Sequence, residues 1–354
     1  MAKVPEPMHT TVAKVYEAYE SDADSGLRPH LGASLIGRSC ERFLWMTFRW
    51  VESKKFSGRM LRLFETGQLE EARFVANLRR IGVDVHEVGA DGKQWRVEDL
   101  GGHFGGSMDG AAIGLPEAPK SWHVLEFKTH NDKSFTDLVK NRVQKAKPEH
   151  YAQMQVYMGL TGMERAFYMA VNKNTDELYT ERVDFDLAEF AKLKARAERV
   201  INANEPPLRC SNDPSWYVCK MCDFHEHCHG SAAPLVNCRT CAHSTPVMNG
   251  NAQWDCSRVA GTCEPDIPLE IQRVGCKSHR YIPILLERFA TQEDYVNGDV
   301  DYLDKTGQGF TNGEGPSALS SQEIRDLADK SMLGAVANMK GQIAAQGFDS
   351  KVVS

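Results

Sequence analysis

The sequence predicts an α/β fold: a sheet packed by helices, followed by a small metal-bound C-terminal module. Three observations carry that expectation. Ser121–His130 has the β-branched and aromatic bulk of a buried strand in Val124, Leu125 and Phe127. Around it the chain reads as helix, strand hairpin, strand, helix, strand, helix, the order of a sheet covered by helices. Most of the ten cysteines then fall in two sets, 210–228 and 238–276.

Taken in order, Val12–Tyr19 reads as a helix followed by a polar linker. Gly32 and Ser34 suit a loop and cap before a helix over Cys40–Trp50. The helix Leu61–Ile81 carries Phe64, Gly67, Glu71, Phe74 and Leu78 at steps of three and four, its inward stripe. A carboxylate on such a stripe is costly unless something binds it, which makes Glu71 a candidate ligand. Gly101–Ile113 reads as a glycine-rich strand containing Asp109, and Gly114–Lys120 turns the chain back. In Ser121–His130, Glu126 and Lys128 are two residues apart and share a face of the pleat. Buried charge must be paired or bound to metal. A carboxylate for a cation and a lysine for an anionic oxygen suit phosphodiester cleavage. Asp109 and Glu126, on adjacent strands, are placed to share that cation. Pro148 opens a helix, with Gly159 and Gly162 marking its end. On it Gln153 and Tyr157 face the same way, one turn apart. Ala166–Val171 and Leu178–Phe185 read as a hairpin, and Leu187–Asn202 as a helix.

At 354 residues, 42% hydrophobic and 25% charged, the chain has the composition of a globular protein of one to three domains. No apolar run reaches membrane-spanning length and the N-terminus lacks a signal-peptide core, so a cytoplasmic protein with no membrane partner is expected. Ten cysteines in that compartment favour metal or cluster ligation over disulfides. The net charge of −6 excludes an indiscriminately basic nucleic-acid binder. Positive charge is local: seven Lys/Arg in 38–62 and six in 128–147, against two acidic residues in each. Such patches suit a groove that tracks phosphates.

Asp109 followed by Glu126-Phe127-Lys128 resembles the PD-(D/E)xK nuclease superfamily, with Met108 where a proline is usual. Gly67-x-x-x-Glu71 and Gln153-x-x-x-Tyr157 resemble motifs of its RecB-like branch. The resemblance covers about 31–230. It implies a restriction-endonuclease-like core, a central mixed sheet flanked by helices, and a Mg²⁺-dependent (or Mn²⁺-dependent) DNA exonuclease of phage-type recombination, repair or end-processing. It implies that Asp109, Glu126, the Phe127 carbonyl and Glu71 hold metal, and that Lys128 orients water or stabilises charge. Gln153 would hold that lysine and the phosphate, Tyr157 would contact DNA, and His103 is a further metal candidate. Ser34, Arg38 and Arg42 are the DNA-binding candidates. Linear duplex or single-stranded ends are the implied substrate, and a single-strand annealing recombinase the implied protein partner. A structure-specific endonuclease and a non-catalytic DNA-binding scaffold remain open.

Cys219-x2-Cys222-x5-Cys228 needs a fourth ligand, which Cys40 supplies from upstream. That pattern resembles the iron–sulfur RecB-like nucleases and implies a [4Fe–4S] cluster. Cys210 is a substitute ligand, and His225, His227 and His229 keep zinc in play. Cys238, Cys241, Cys256 and Cys276 read as a structural Zn²⁺ ribbon, with Cys263 and His279 as further candidates. The expected segments are therefore 1–30, helix and linker; 31–230, nuclease core; 231–285, zinc ribbon; and 286–354, an appendage. The appendage reads as a short helix, a glycine-rich hairpin near Lys305–Gly313 and a last helix capped by Ser320 and Glu323.

Overall fold

The computed structural model describes residues 10–24, 26–258, 266–296 and 298–347, so Cys263 lies outside the described residues. The chain forms two compact units that interleave in sequence: 1–27, 54–97 and 105–194 in the first, 28–53, 98–104 and 195–354 in the second. No described helix is long and apolar enough to cross a membrane.

The first unit is a mixed α/β layer structure. Helices α1 (Thr10–Ser21) and α2 (Gly58–Arg80) precede β1 (Asp84–His86), β2 (Gly110–Ile113) and β3 (His123–His130). Helices α3 (Asp132–Ala146) and α4 (Pro148–Thr161) then cross over to β4 (Arg165–Asn172), and β5 (Leu178–Asp184) follows. The five strands lie in sequence order. The β3–β4 pair is parallel and the other three are antiparallel. A parallel pair requires a long crossover, which α3 and α4 provide.

Alternation along β3 separates two kinds of chemistry. Leu125 and Phe127 join Phe167, Met169 and Val171 of β4 in a core against Phe74, Val75 and Leu78 of α2. Phe74 and Phe127 stack with ring centroids 5.0 Å apart. Val124, Glu126, Lys128 and His130 take the opposite face. The apolar stripe of α2 is confined to its C-terminal half. Phe64 is 42% exposed and meets Phe56 edge-on, because α1, the helix beside it, buries no side chain.

Two expectations change. The helix α3, absent from the sequence reading, is capped by Asn131, whose side chain accepts the Ser134 N–H at 2.9 Å. It is broken at Arg142, φ 62°, where the Glu181 carboxylate takes both the Arg142 guanidinium and the Val143 N–H. That break obscures the helical period. Gly159 lies inside α4 rather than at its end, since a Cβ there would meet the Phe190 ring at 2.4 Å. Gly162, at φ 74°, is the actual cap.

The second unit contains helix Glu41–Phe48 and a short hairpin of Ser244–Pro246 with Trp254–Cys256. Its C-terminal part is richer than the single hairpin expected. Ala290–Val296, Asp299–Asp304 and Gly309–Asn312 form an antiparallel sheet. The Ser320–Glu323 capping box is present, but it starts a six-residue helix, Ser321–Asp326, separate from the last helix, Leu333–Ala345. Tyr281, Phe289, Tyr302, Phe310 and Leu333 share one core. Residues 231–285 are built into this unit: Arg239 donates to the Phe48 carbonyl and Asn237 to the Trp50 carbonyl.

The aromatic stack at the centre of the first unit yields a quantitative expectation. Phe74→Ala should cost about 3–5 kcal/mol, read as a lowered midpoint for that unit in chemical denaturation. An exposed control, Leu69→Ala, should cost little, Leu69 being 67% exposed.

Candidate active site

Asp109 sits in the break between Phe104–Ser107 and β2, not within one continuous strand. Pairing of Gly110 with Leu125 brings it alongside β3. Its Oδ2 accepts the Phe127 N–H at 2.7 Å, which fixes the carboxylate beside Glu126 and Lys128. Glu126 is fully buried. Its Oε1 meets the Lys128 ammonium, while Oε2 accepts no hydrogen bond. Lys128 Nζ also donates to the Phe127 carbonyl at 2.9 Å. The ammonium thus rests on two oxygens proposed from the sequence as metal ligands.

The electrostatics are those of crowded carboxylates in a dry place. Burial pushes Glu126 up to about 7; Lys128 opposes this, and Asp109 and Glu71 add to it. Burial alone would lower Lys128, but Glu126, Asp109 and Glu71 together hold its ammonium above its ordinary value. Glu71 of α2 is raised by burial and then by Asp109, which places it in the same field. An orphaned carboxylate oxygen among three acids fits a divalent cation, which would relieve both repulsion and desolvation. Among the described residues, no three His, Cys, Asp or Glu side chains are already set around one metal position.

Gln153 and Tyr157 stand behind Asp109. Gln153 donates to the Tyr157 hydroxyl at 3.2 Å, and that hydroxyl donates to the Ser107 carbonyl at 2.8 Å. Tyr157 is only 2% exposed, so it braces the strand leading to Asp109 and presents no surface for DNA. Gly106 permits this approach, because a Cβ there would meet the Tyr157 hydroxyl at 2.7 Å.

Sequence reasoning missed a buried chain beyond Lys128. The Tyr168 hydroxyl lies 2.8 Å from His130 Nε2 and 3.0 Å from His150 Nδ1, and Tyr168 is the cross-strand neighbour of Glu126. Burial first, and nearby lysines second, hold His130 at about 4 and His150 at about 3, so both rings are neutral. The signal was available: His130 continues the Glu126–Lys128 alternation, and His150 precedes Gln153 by three residues.

Other candidates belong to the second unit. His103 is buried against Phe48 and Trp254, and its Nε2 bonds the Val247 carbonyl at 3.1 Å. Its apolar surroundings make it a packing residue, which corrects its reading as a metal ligand. Arg42 is 6% exposed and pairs with Glu287 at 2.8 Å, so it is structural instead of phosphate-binding. Arg38 stacks on Phe43 at 4.3 Å, and Ser34 lies in a half-buried turn. Arg49 is internal as well, which removes two of the seven charges from the supposed 38–62 patch. Lys133, Lys140 and Lys145 on α3 do remain exposed.

The first cysteine set is brought into one neighbourhood, without three described side chains set around one metal position. Cys210 and Cys219 sulfurs are 3.9 Å apart, and Cys40 hydrogen-bonds Cys210. Burial pushes Cys222 up to about 11, with Cys228 and Cys40 adding to it. His225 and His227 are turned to Glu226 and Glu52. Of the second set, Cys238, Cys241, Cys256 and Cys276 line one cavity together with His279.

A family model described as the PD-(D/E)XK nuclease superfamily matches residues 7–229. No curated protein matches the chain. Among solved structures, the alkaline exonuclease LHK-Exo from Laribacter hongkongensis is 20% identical over 52% of this chain and 90% of its own, with a TM-score of 0.35. SSO0001 is 17% identical over 64% of this chain and 98% of its own, with a TM-score of 0.37. A phage-related exonuclease from Haemophilus somnus is 19% identical over 38% of this chain and 66% of its own, with a TM-score of 0.27.

The buried glutamate sets a pH expectation. Its value of about 7 lies above the ~4.3 of a solvated glutamate. Between those values the folded protein keeps a proton that the unfolded chain has released. In EDTA, stability should therefore fall as pH rises from 5 to 7. Urea midpoints should show that slope, and Glu126→Gln should flatten it.

Proposed function

The chain belongs to the PD-(D/E)XK nuclease superfamily, and from that premise we propose that it is a Mg²⁺-dependent exonuclease that hydrolyses phosphodiester bonds at the ends of linear DNA. The observation that carries the reading is the buried, half-satisfied Glu126 carboxylate held between Asp109 and Lys128. The RecB-like spacing of Glu71, Gln153 and Tyr157 supports exonucleolytic use of that site.

Asp109, Glu126 and the Phe127 carbonyl, with Glu71 beside them, would hold the divalent cation. Such a cation polarises the phosphate and acidifies water. With a cation on those oxygens, Lys128 would be released from neutralising Glu126 and available to the phosphate. Its ammonium, kept protonated by the surrounding carboxylates, stabilises negative charge that grows on the phosphoryl oxygens. The Gln153–Tyr157–Ser107 chain would hold the backbone that leads to Asp109.

End-labelled linear and covalently closed circular DNA, digested with Mg²⁺, Mn²⁺ or EDTA, test the proposal. Linear DNA should be degraded with either metal and left intact in EDTA, while closed circles survive. Cutting of closed circles would replace the reading with an endonuclease, and absence of metal-dependent hydrolysis would remove it. Asp109→Asn and Lys128→Met should each lower the rate by about 10²-fold or more, with circular dichroism unchanged.

The one-plus-three spacing of Cys40 with Cys219, Cys222 and Cys228 supports a second cofactor, a [4Fe–4S] cluster on these four, with Cys210 adjacent to Cys219. Anaerobically purified protein should be brown, with broad absorption near ~400 nm, and Cys40→Ser should bleach it. Colourless protein carrying zinc at these positions would refute the cluster.

A further inference from the structure

Arg49 and Arg239 are 1% and 0% exposed, yet neither meets a carboxylate among the described residues. Arg49 donates to the carbonyls of Arg239, Ser244 and Ala203. Arg239 donates to the carbonyls of Phe48 and Pro29 and to the Gln272 amide oxygen. Aromatic faces cover them: Arg239 lies 3.7 Å over Trp50, and both guanidiniums lie within 5 Å of the Trp254 ring. Carbonyls and rings satisfy donors but carry no net charge. Burying two cations in one core without counter-charge costs several kcal/mol per ion. The nearby groups able to take negative charge are cysteines: Arg239 follows Cys238 in the chain, and Arg49 donates to the carbonyl of Ser244, which lines the same cavity as Cys238 and Cys241. A cysteine offers that charge only as a thiolate.

Those cysteines are neutral thiols until a metal takes their protons: burial pushes the Cys241 thiol up to about 11. Cys238, Cys241, Cys256 and Cys276 line a cavity of about 210 Å³. They come from separate pieces of chain: a turn at Cys238–Thr240, the end of strand Trp254–Cys256, and the segment after helix Leu269–Val274. The Arg280 N–H points at the Cys241 sulfur at 3.5 Å, and the His243 N–H bonds it as well. Amide donors on sulfur favour the charged form, but here burial outweighs them. Cys238 lies 3.6 Å from the Ile271 carbonyl, a contact that only the thiol donates. The side chains line the cavity walls and do not yet close on one point, so loading would draw them inward.

We propose that Cys238, Cys241, Cys256 and Cys276 bind one structural Zn²⁺, and that this tetrathiolate centre is the counter-charge for the buried Arg49–Arg239 pair. Four thiol protons are released as four Zn–S bonds form. The centre then carries two negative charges against two guanidiniums. His279, whose Nε2 is 3.1 Å from the Thr240 hydroxyl, stays outside the ligand set, because a Cys₃His centre would leave one cation uncompensated. The site is independent of the nuclease reading.

Metal analysis of the freshly purified full chain tests the site. Zinc is expected at one equivalent that Cys256→Ser and Cys276→Ser each remove, while Cys40→Ser leaves it in place. Competition with a zinc chelator tests the charge coupling. Arg239→Met and Arg49→Met should each weaken zinc retention at least tenfold, because the dianion loses a buried cation, whereas a packing role would leave zinc affinity unchanged. Wild-type protein with no zinc and four alkylatable thiols at these positions, or with a disulfide among them by mass spectrometry, would overturn the site. Unchanged zinc affinity in a folded arginine variant would overturn the coupling. Should neither arginine variant fold, chelation of the wild type decides: retention of both the fold and its melting temperature after zinc removal would equally overturn the coupling.

Discussion

A carboxylate buried against an ammonium on one face of β3 is the constraint on which the first unit depends. Glu126 has no exposed surface and Oε2 has no donor, so the strand must be held rigidly enough to keep that arrangement from collapsing. Rigidity comes from both neighbours. The Phe127 amide reaches across to Asp109, and β4 pairs with β3 from Val124 to His130. The opposite pleat of the same strand supplies the anchor, with Phe127 stacked on Phe74. The site and the core are thus alternate residues of one strand, one face charged and the other apolar.

The second unit meets the same rule with a different answer. Buried charge there is cationic, and carbonyls and tryptophan faces surround it without neutralising it. Arg42 shows the ordinary solution, a carboxylate at 2.8 Å. Arg49 and Arg239 lack that solution among the described residues.

Much of this was legible in sequence. Alternation along Ser121–His130 identified β3 and put Glu126 and Lys128 on one face, because a strand's period of two leaves no choice. The three-and-four spacing of Phe74 and Leu78 identified the packed part of α2, and Pro148 the start of α4. Local rules failed where the backbone breaks its own period. Arg142, whose positive φ interrupts the helix and whose guanidinium the distant Glu181 holds, hid α3, and no local pattern distinguishes a glycine that ends a helix from Gly159, which makes room for a ring.

By itself, then, the sequence determined the strand, its two charges, the acidic residue before it and the two cysteine sets, since each follows from short-range periodicity or spacing. Tertiary structure alone decided which polar residues face which. Arg42 and His103 look like ligand-binding residues in sequence, yet a carboxylate 245 positions away claims one and a carbonyl 144 positions away claims the other. Tyr157 turns inward to Ser107, and His130, His150 and Tyr168 join only because the parallel crossover stacks α4 over β3 and β4. Burial converts an ordinary glutamate into one held at about 7. That conversion depends on desolvation by residues far apart in the chain, which no local pattern encodes.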